Sequence, residues 1–227
     1  MDKLTDEWSK RTVLDAKSGR AYNVYYYKRK KAVRIELKSP KAKVLAGYVL
    51  IEKDLRSAIF WLEQIVEIMS SYEKFTDSKG HVKATYDREK FNLVKGLFVA
   101  ALTFYGKSFS TCEGRRVKLE KKNLEEGFWS EHNHAIGFRN NFAAHSGAEK
   151  IEEAAVVVAV PIKKGVIPHM AKELKQPDTI THNGIVEFLK LFNHARDFAV
   201  NKIETIEQKI YEEEVLAKGP KYWASKT

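Results

Sequence analysis

The sequence predicts a mainly α-helical fold, a helical bundle that carries one or two small β-hairpins. Apolar residues recur at helical spacing over four long segments, and two short segments rich in β-branched or aromatic residues have the composition of strands. Strands and helices do not alternate in the order that a parallel sheet requires, and no Gly-rich phosphate loop is present in the sequence. These features disfavour the nucleotide-binding α/β folds.

The chain has 227 residues, 44% of them hydrophobic, which suits one domain with additions. We expect an N-terminal arm at 1–38 with a possible basic β-hairpin, and a helical bundle at 39–217. A second hairpin is expected as an insertion near 153–175, because a β-branched run there is followed by a turn signal. Residues 218–227 form a basic tail.

In the arm, residues 24–27 and 33–37 are β-prone and flank the basic run 28–31, which predicts a hairpin. Residues 1–20 are polar and indicate a helical turn or a flexible arm. Aromatic side chains beside lysines and arginines can stack on bases and contact phosphates. They are equally typical of a solvated turn, which is the interpretation we favour from sequence.

The periodicity predicts four helices, at 39–72, 87–112, 124–144 and 181–216. Ser39-Pro40 is a start signal for the first helix, and Gly219-Pro220 is a stop signal after the last. Gly96 and Gly106 each cost the second helix roughly 1 kcal/mol relative to alanine. Their small size would allow another helix to approach closely.

Lys and Arg number 40 against 30 Asp and Glu, so the formal charge is +10. This excess favours polyanionic partners, either nucleic acid or an anionic membrane surface, and charge alone indicates a protein that is merely basic and soluble about as strongly. Cys112 is the only cysteine, which excludes an intramolecular disulfide and suits a reducing compartment. Without a signal peptide pattern or a membrane-length apolar run, the sequence predicts a cytoplasmic location and no membrane partner.

The segment 138–147 brings Arg139, Asn140 and His145 together at the end of the third predicted helix. Arg139 falls within an apolar arc of that helix, where a guanidinium is costly unless it is paired or faces a partner. Arginine grips phosphate through a planar fork of donors, and histidine moves protons near neutral pH. Together they are a minimal set for cleaving a phosphodiester without a metal. The alternatives are a buried ion pair for Arg139 and a favourable helix-end position for His145.

Arg139 and His145 are six positions apart, so on an unbroken helix they differ by about 240° and do not share a face. Ser146-Gly147 follows directly, and glycine is a common residue just past a helix end. The side chain of His145 could therefore turn back toward the arginine.

Three further residues are candidate substrate-binding groups. Arg115 and Arg116 follow an apolar helix end, although surface arginines are common. His132 precedes Arg139 by seven positions on the same helix face, where it can hydrogen-bond or simply pack. His132 and His134 diverge by about 160° on a helix, so they cannot share one ion. We therefore expect no metal.

The motif Arg139-Asn140-x4-His145-Ser-Gly resembles the R-x(4–6)-H motif of HEPN domains (higher eukaryotes and prokaryotes nucleotide-binding). The run 96–109 is similar to the helix that precedes this motif in prokaryotic members, and the resemblance extends over roughly 41–215. The spacing is longer than the commoner spacings of the family.

The resemblance implies an all-α bundle and a metal-independent endoribonuclease whose site is assembled across a homodimer. It also implies a role as a toxin or phage-defence effector, with an antitoxin or sensor protein as a possible partner and no cofactor. In this scheme His145 is the general base or acid, Arg139 holds the phosphate, and Asn140 orients the phosphate or the histidine. The alternative is an inactive family module that binds nucleic acid, a nucleotide or a partner protein.

Overall fold

The computed structural model describes residues 5–70, 88–141, 153–162, 165–175 and 182–226. Helices predominate and the sheets are small and antiparallel, which confirms the mainly α prediction. The chain divides into two compact units. The first unit contains Met1–Ala42 and Gln208–Thr227, and the second contains Lys43–Glu207. None of the helices in the described ranges has the length and apolar character needed to cross a membrane.

The first unit contains a three-stranded antiparallel sheet in the order β1-β2-β3. Its strands are β1 (Trp8–Leu14), β2 (Ala21–Tyr27) and β3 (Lys30–Lys31). The expectation of a helical turn or flexible arm over residues 1–20 is wrong for β1, because pairing with all seven residues of β2 holds this polar segment extended.

The hairpin predicted around the basic run is present, but its second strand is shorter and earlier than expected. Lys28 and Arg29 both adopt positive φ angles, 44° and 66°. Two consecutive residues of this kind form the tight turn that matches strand twist. The chain therefore reverses at once and Lys30–Lys31 pairs with the end of β2, whereas residues 33–37 are not a strand.

The four helices predicted from periodicity are present, and most of their length lies in the second unit. They are α1 (Pro40–Ser70), α2 (Arg88–Ser108), α3 (Trp129–Arg139) and α4 (His182–Ile210). The start of α1 follows the predicted signal, since the Ser39 hydroxyl oxygen accepts a hydrogen bond from the Ala42 amide at 3.0 Å. Proline at the first helical position supplies the φ angle that the helix needs.

The third helix begins at Trp129 and not at the predicted residue 124. Two 3₁₀ turns, Lys121–Asn123 and Glu126–Phe128, occupy the preceding segment. The buried Leu124 side chain lies between them, and the Trp129 indole donates to the Leu124 carbonyl at 3.3 Å. This tertiary anchoring outweighs the local preference for helix.

The second unit has a core built from α1, α2, α3 and α4 around aromatic side chains. Tyr105 of α2 and Phe192 of α4 are fully buried and stack with their ring centroids 4.1 Å apart. The aliphatic part of the core comes largely from α1, whose buried apolar residues include Ile51, Leu55, Ala58, Leu62 and Ile65.

A β-hairpin is present in the segment where one was predicted: β4 (Glu153–Ala159) pairs antiparallel with β5 (His169–Lys175). After α4 the chain continues as a π-helical turn, Tyr211–Leu216, in the first unit. Within the predicted basic tail lies a short helix, α5 (Gly219–Ala224), whose first residue has a φ of +70° and whose second residue is a proline.

Candidate functional site

Arg139, the central residue of the motif, lies at the end of α3 with its side chain against α2. A Cβ atom added to Gly106 would lie 2.7 Å from the Arg139 Cδ and 3.1 Å from its Nε. The first distance is shorter than real Cβ contacts and the second is tight, so the arginine can lie in this place because residue 106 has no side chain. The prediction that a small residue of α2 allows close helix approach holds for Gly106. At Gly96 an added Cβ would have no atom of the described residues within 4 Å outside the adjacent helix backbone.

The guanidinium of Arg139 is partly exposed and is directed to a neutral neighbour. Its Nη1 donates to the Asn140 side-chain oxygen at 3.4 Å. Among the residues the structure describes, no carboxylate lies within 4.0 Å of it. A buried ion pair with a glutamate of another helix was the alternative considered from sequence, and in the described ranges it is not formed.

Asn140 continues the chain from α3 in helical conformation, with φ −67° and ψ −37°. Its exposed side chain holds the Arg139 guanidinium, so the structure brings these two predicted site residues together. The third, His145, lies in 142–152, outside the described residues.

His132, two turns before Arg139, is only 7% exposed and packs in the core. Its Nδ1 and the Tyr105 hydroxyl are joined by a hydrogen bond of 2.8 Å, and the Phe109 ring centroid lies 4.5 Å from the imidazole. Burial, with a smaller contribution from the charge of Lys121, lowers the pKa of His132, so the imidazole is neutral. Burial raises the pKa of Tyr105, which keeps the phenol protonated.

This position favours the packing interpretation of His132 over a direct contact with substrate. His134 is exposed where His132 is buried, so the two side chains diverge as their spacing predicts. A group of three or more His, Cys, Asp or Glu able to hold a metal is not found in the part of the chain that the structure describes.

Arg115 has a structural setting that the sequence did not indicate. Its side chain is only 3% exposed, and it donates to the backbone carbonyl oxygens of Lys107 and Ser110. A Cβ at Gly47 of α1 would lie 3.3 Å from the Arg115 Cγ, so α1 packs closely on this segment. The buried guanidinium is therefore not placed for the substrate contact expected of it, whereas the neighbouring Arg116 is exposed.

Asp54, which the sequence reasoning missed, is a buried carboxylate surrounded by three cations. Lys53 and Lys107 approach its two oxygens at 2.8 and 2.9 Å, and Arg115 lies 3.9 Å away. Burial raises the pKa of Asp54, but the ion pairs with Lys53 and Lys107 outweigh it and the net pKa is lowered. Its burial could have been predicted from the helical spacing, since Asp54 falls on the same face of α1 as the buried Ile51 and Ala58.

Comparison of the chain with protein-family models, with curated proteins and with solved structures finds no match. A functional proposal must therefore rest on the position and contacts of the Arg139 side chain at the end of α3. A partly exposed guanidinium that is fixed by packing and has a neutral hydrogen-bond partner suits an anionic ligand. If an ionised carboxylate were paired with Arg139, it would occupy the N–H donors that an anionic ligand needs.

Proposed function

We propose that this protein is a metal-independent endoribonuclease of the HEPN type. The observation that carries the proposal is the Arg139 guanidinium, which packs over Gly106, contacts Asn140, and has no carboxylate partner among the described residues. Its donors are available to a phosphate, and the excess of basic residues favours RNA as the source of that phosphate.

In the proposed reaction, a base takes the proton of the ribose 2′-hydroxyl and the 2′-oxygen attacks the neighbouring phosphorus. The bond from phosphorus to the 5′-oxygen breaks, an acid protonates that oxygen, and the products are a 2′,3′-cyclic phosphate and a 5′-hydroxyl. His145 serves as base or acid. Arg139 neutralises the charge that develops on the phosphoryl oxygens, and Asn140 orients the phosphate or the histidine.

The reaction needs an acid and a base, and the motif has one histidine per chain. We therefore include in the proposal a homodimer whose two motifs meet, each contributing one histidine. A cytoplasmic toxin or phage-defence effector, controlled by an antitoxin or sensor protein, is the biological role that fits such an enzyme.

The test is a cleavage assay in EDTA with tRNA and a long single-stranded RNA as substrates. Wild type should leave cyclic phosphate ends, and His145→Ala should be about 100- to 10,000-fold slower, the usual contribution of a general acid or base. Arg139→Ala should lose comparable activity while its thermal unfolding remains close to wild type, because a partly exposed arginine without an ion pair contributes little to stability.

A 2′-deoxy substitution at the cleavage position should abolish the reaction, since the nucleophile is then missing. Cleavage at that position would exclude this mechanism. Absence of cleavage by a folded dimer that still binds RNA would instead favour a non-catalytic binding module.

A further inference from the structure

The sheet of the first unit places aromatic and basic side chains side by side on one face. Trp8 lies opposite Tyr27, and Tyr27 lies opposite Lys30, so one row crosses all three strands. Directly opposite residues of antiparallel strands share a face. Two residues further along, Lys10 of β1 lies opposite Tyr25 of β2 and forms a second row on the same face.

The rings of the first row are exposed and held in place. Trp8 and Tyr27 are 41% and 39% exposed, and their centroids are 5.1 Å apart. The Tyr27 hydroxyl donates to Glu7 at 2.9 Å, and Lys28 pairs with the same carboxylate at 2.8 Å. The hydrogen bonds from Lys28 and Tyr27 lower the pKa of Glu7, so this anchor is ionised. A ring that is already oriented loses little freedom when a ligand stacks on it.

The charge of this segment is concentrated and predominantly positive. Residues 8–31 contain eight Lys and Arg and one acidic residue, a formal +7 within a chain of +10. The acidic residue, Asp15, accepts hydrogen bonds from the Lys17 and Ser18 amides in the loop after β1, at 2.8 and 3.1 Å. Glu7, just before the sheet, is paired with Lys28. Such a surface attracts a polyanion.

We propose that this face, formed by Trp8, Lys10, Tyr25, Tyr27 and Lys30, binds single-stranded nucleic acid. Unpaired bases stack on the exposed rings, and the lysines contact the phosphates between them. A duplex has its bases already stacked on each other and cannot use the rings. An anionic membrane would also satisfy the charge, and binding to anionic vesicles is therefore one outcome of the test. The proposal is independent of the ribonuclease chemistry, because it concerns only binding by the first unit.

The test uses the full-length protein in EDTA and a fluorescein-labelled single-stranded RNA with 2′-O-methyl groups, which cannot be cleaved through the 2′-oxygen. Tyr25→Leu and Tyr27→Leu should each weaken binding by about 5- to 150-fold, the range of one base–aromatic stack. Tyr211→Leu, an exposed tyrosine of the same unit outside the sheet, is the matched control and should bind as wild type. Circular dichroism checks that each variant is folded.

The contribution of Lys10 and Lys30 is measured separately, through the salt dependence of the binding affinity. Lys10→Gln and Lys30→Gln should each make the logarithm of affinity less dependent on the logarithm of salt concentration, by about 0.7 in slope for a single strand. The exposed Lys202→Gln on α4 should leave the slope unchanged. Binding should also quench tryptophan emission in wild type, and Trp8→Phe should bind with much less quenching.

Three results would overturn the proposal. Aromatic variants that bind as wild type would show a purely electrostatic contact. Equal affinity for a duplex of the same sequence would exclude stacking of unpaired bases. Binding to anionic vesicles without binding to the oligonucleotide would assign the face to a membrane. RNA cleavage in the EDTA assay bears on none of these, so either proposal can fail alone.

Discussion

Gly106 determines where the Arg139 guanidinium can lie. Adding one methyl group at this position, in Gly106→Ala, therefore tests whether the placement of Arg139 matters for the reaction. In Gly106→Ala the new Cβ would stand 2.7 Å from the Arg139 Cδ, so the arginine side chain must move. A displacement of about 1 Å in a positioning group can cost 100-fold in rate. We expect RNA cleavage to fall by about that factor while the fold persists, measured by the EDTA assay and by thermal unfolding.

Gly96→Ala is the matched control, because it makes the same change in the same helix at a position where, within the part of the chain that the structure describes, only the adjacent helix backbone is near the added Cβ. It should stabilise α2 by up to about 1 kcal/mol through helix propensity and leave cleavage unchanged. Equal activity of the two alanine variants would show that the position of Arg139 does not matter for the reaction.

Asp54 links secondary-structure elements, because its carboxylate on α1 pairs with Lys107 at the end of α2 and with Arg115 in the segment that follows. Asp54→Asn leaves the Arg115 guanidinium, 3% exposed, without its counter-ion. Loss of one partner in a buried ion pair costs about 3–5 kcal/mol, and we expect the lower value because Lys53 and Lys107 are half exposed. The free energy of unfolding in urea measures this change.

Glu187→Gln is the control, since its pair with Lys190 is exposed on both sides and should contribute at most about 1 kcal/mol.

The pH dependence of the free energy of unfolding gives a second test of the role of Asp54. The pKa of Asp54 is lowered from its reference value of 3.8, so its contribution is complete above pH 3.8 and is lost as the pH falls through the lower native value. The difference between wild type and Asp54→Asn should therefore shrink below pH 3.8. A constant difference would contradict this assignment.

The helices could be predicted from the sequence because their apolar spacing is a local signal, but their ends depend on tertiary contacts. The start of α3 moved to Trp129 because burial of Leu124 fixes the preceding turns. Strand β1 was missed for a related reason: its polar residues carry no strand pattern, and their conformation comes from pairing with β2.

The part of the candidate site that depends on residue type and local spacing could be predicted from the sequence. Arg139 is a candidate because a guanidinium in an apolar arc is unusual, and Asn140 is a candidate because it follows Arg139 in the same motif. The burial of Arg115 and the role of Asp54 were not predictable, since they depend on how α1 packs against the segment after α2. A charged residue at a core spacing in a helix was the available signal for Asp54.

At the scale of the whole molecule, the proposed chemistry requires more than one chain. An acid and a base must both act on the scissile phosphate, and each chain brings one motif histidine. Two other histidines lie on α3. His132 is buried, neutral and hydrogen-bonded to Tyr105, which makes it a poor substitute. His134 is exposed and diverges by about 160° around the helix from His132, which shares the face of Arg139. We therefore expect the specific activity per chain to fall as the protein is diluted below its dimer dissociation constant.

The measurement pairs initial cleavage rates over a dilution series with sedimentation velocity at the same concentrations. Dissociation without loss of specific activity would mean that one chain holds a complete site, and the acid would then have to be sought elsewhere in that chain. His132→Asn serves as the control, because it should change stability and leave the dilution profile unaltered. A rate that follows the dimer fraction, together with loss of activity in His145→Ala, would place one histidine from each chain at the same phosphate.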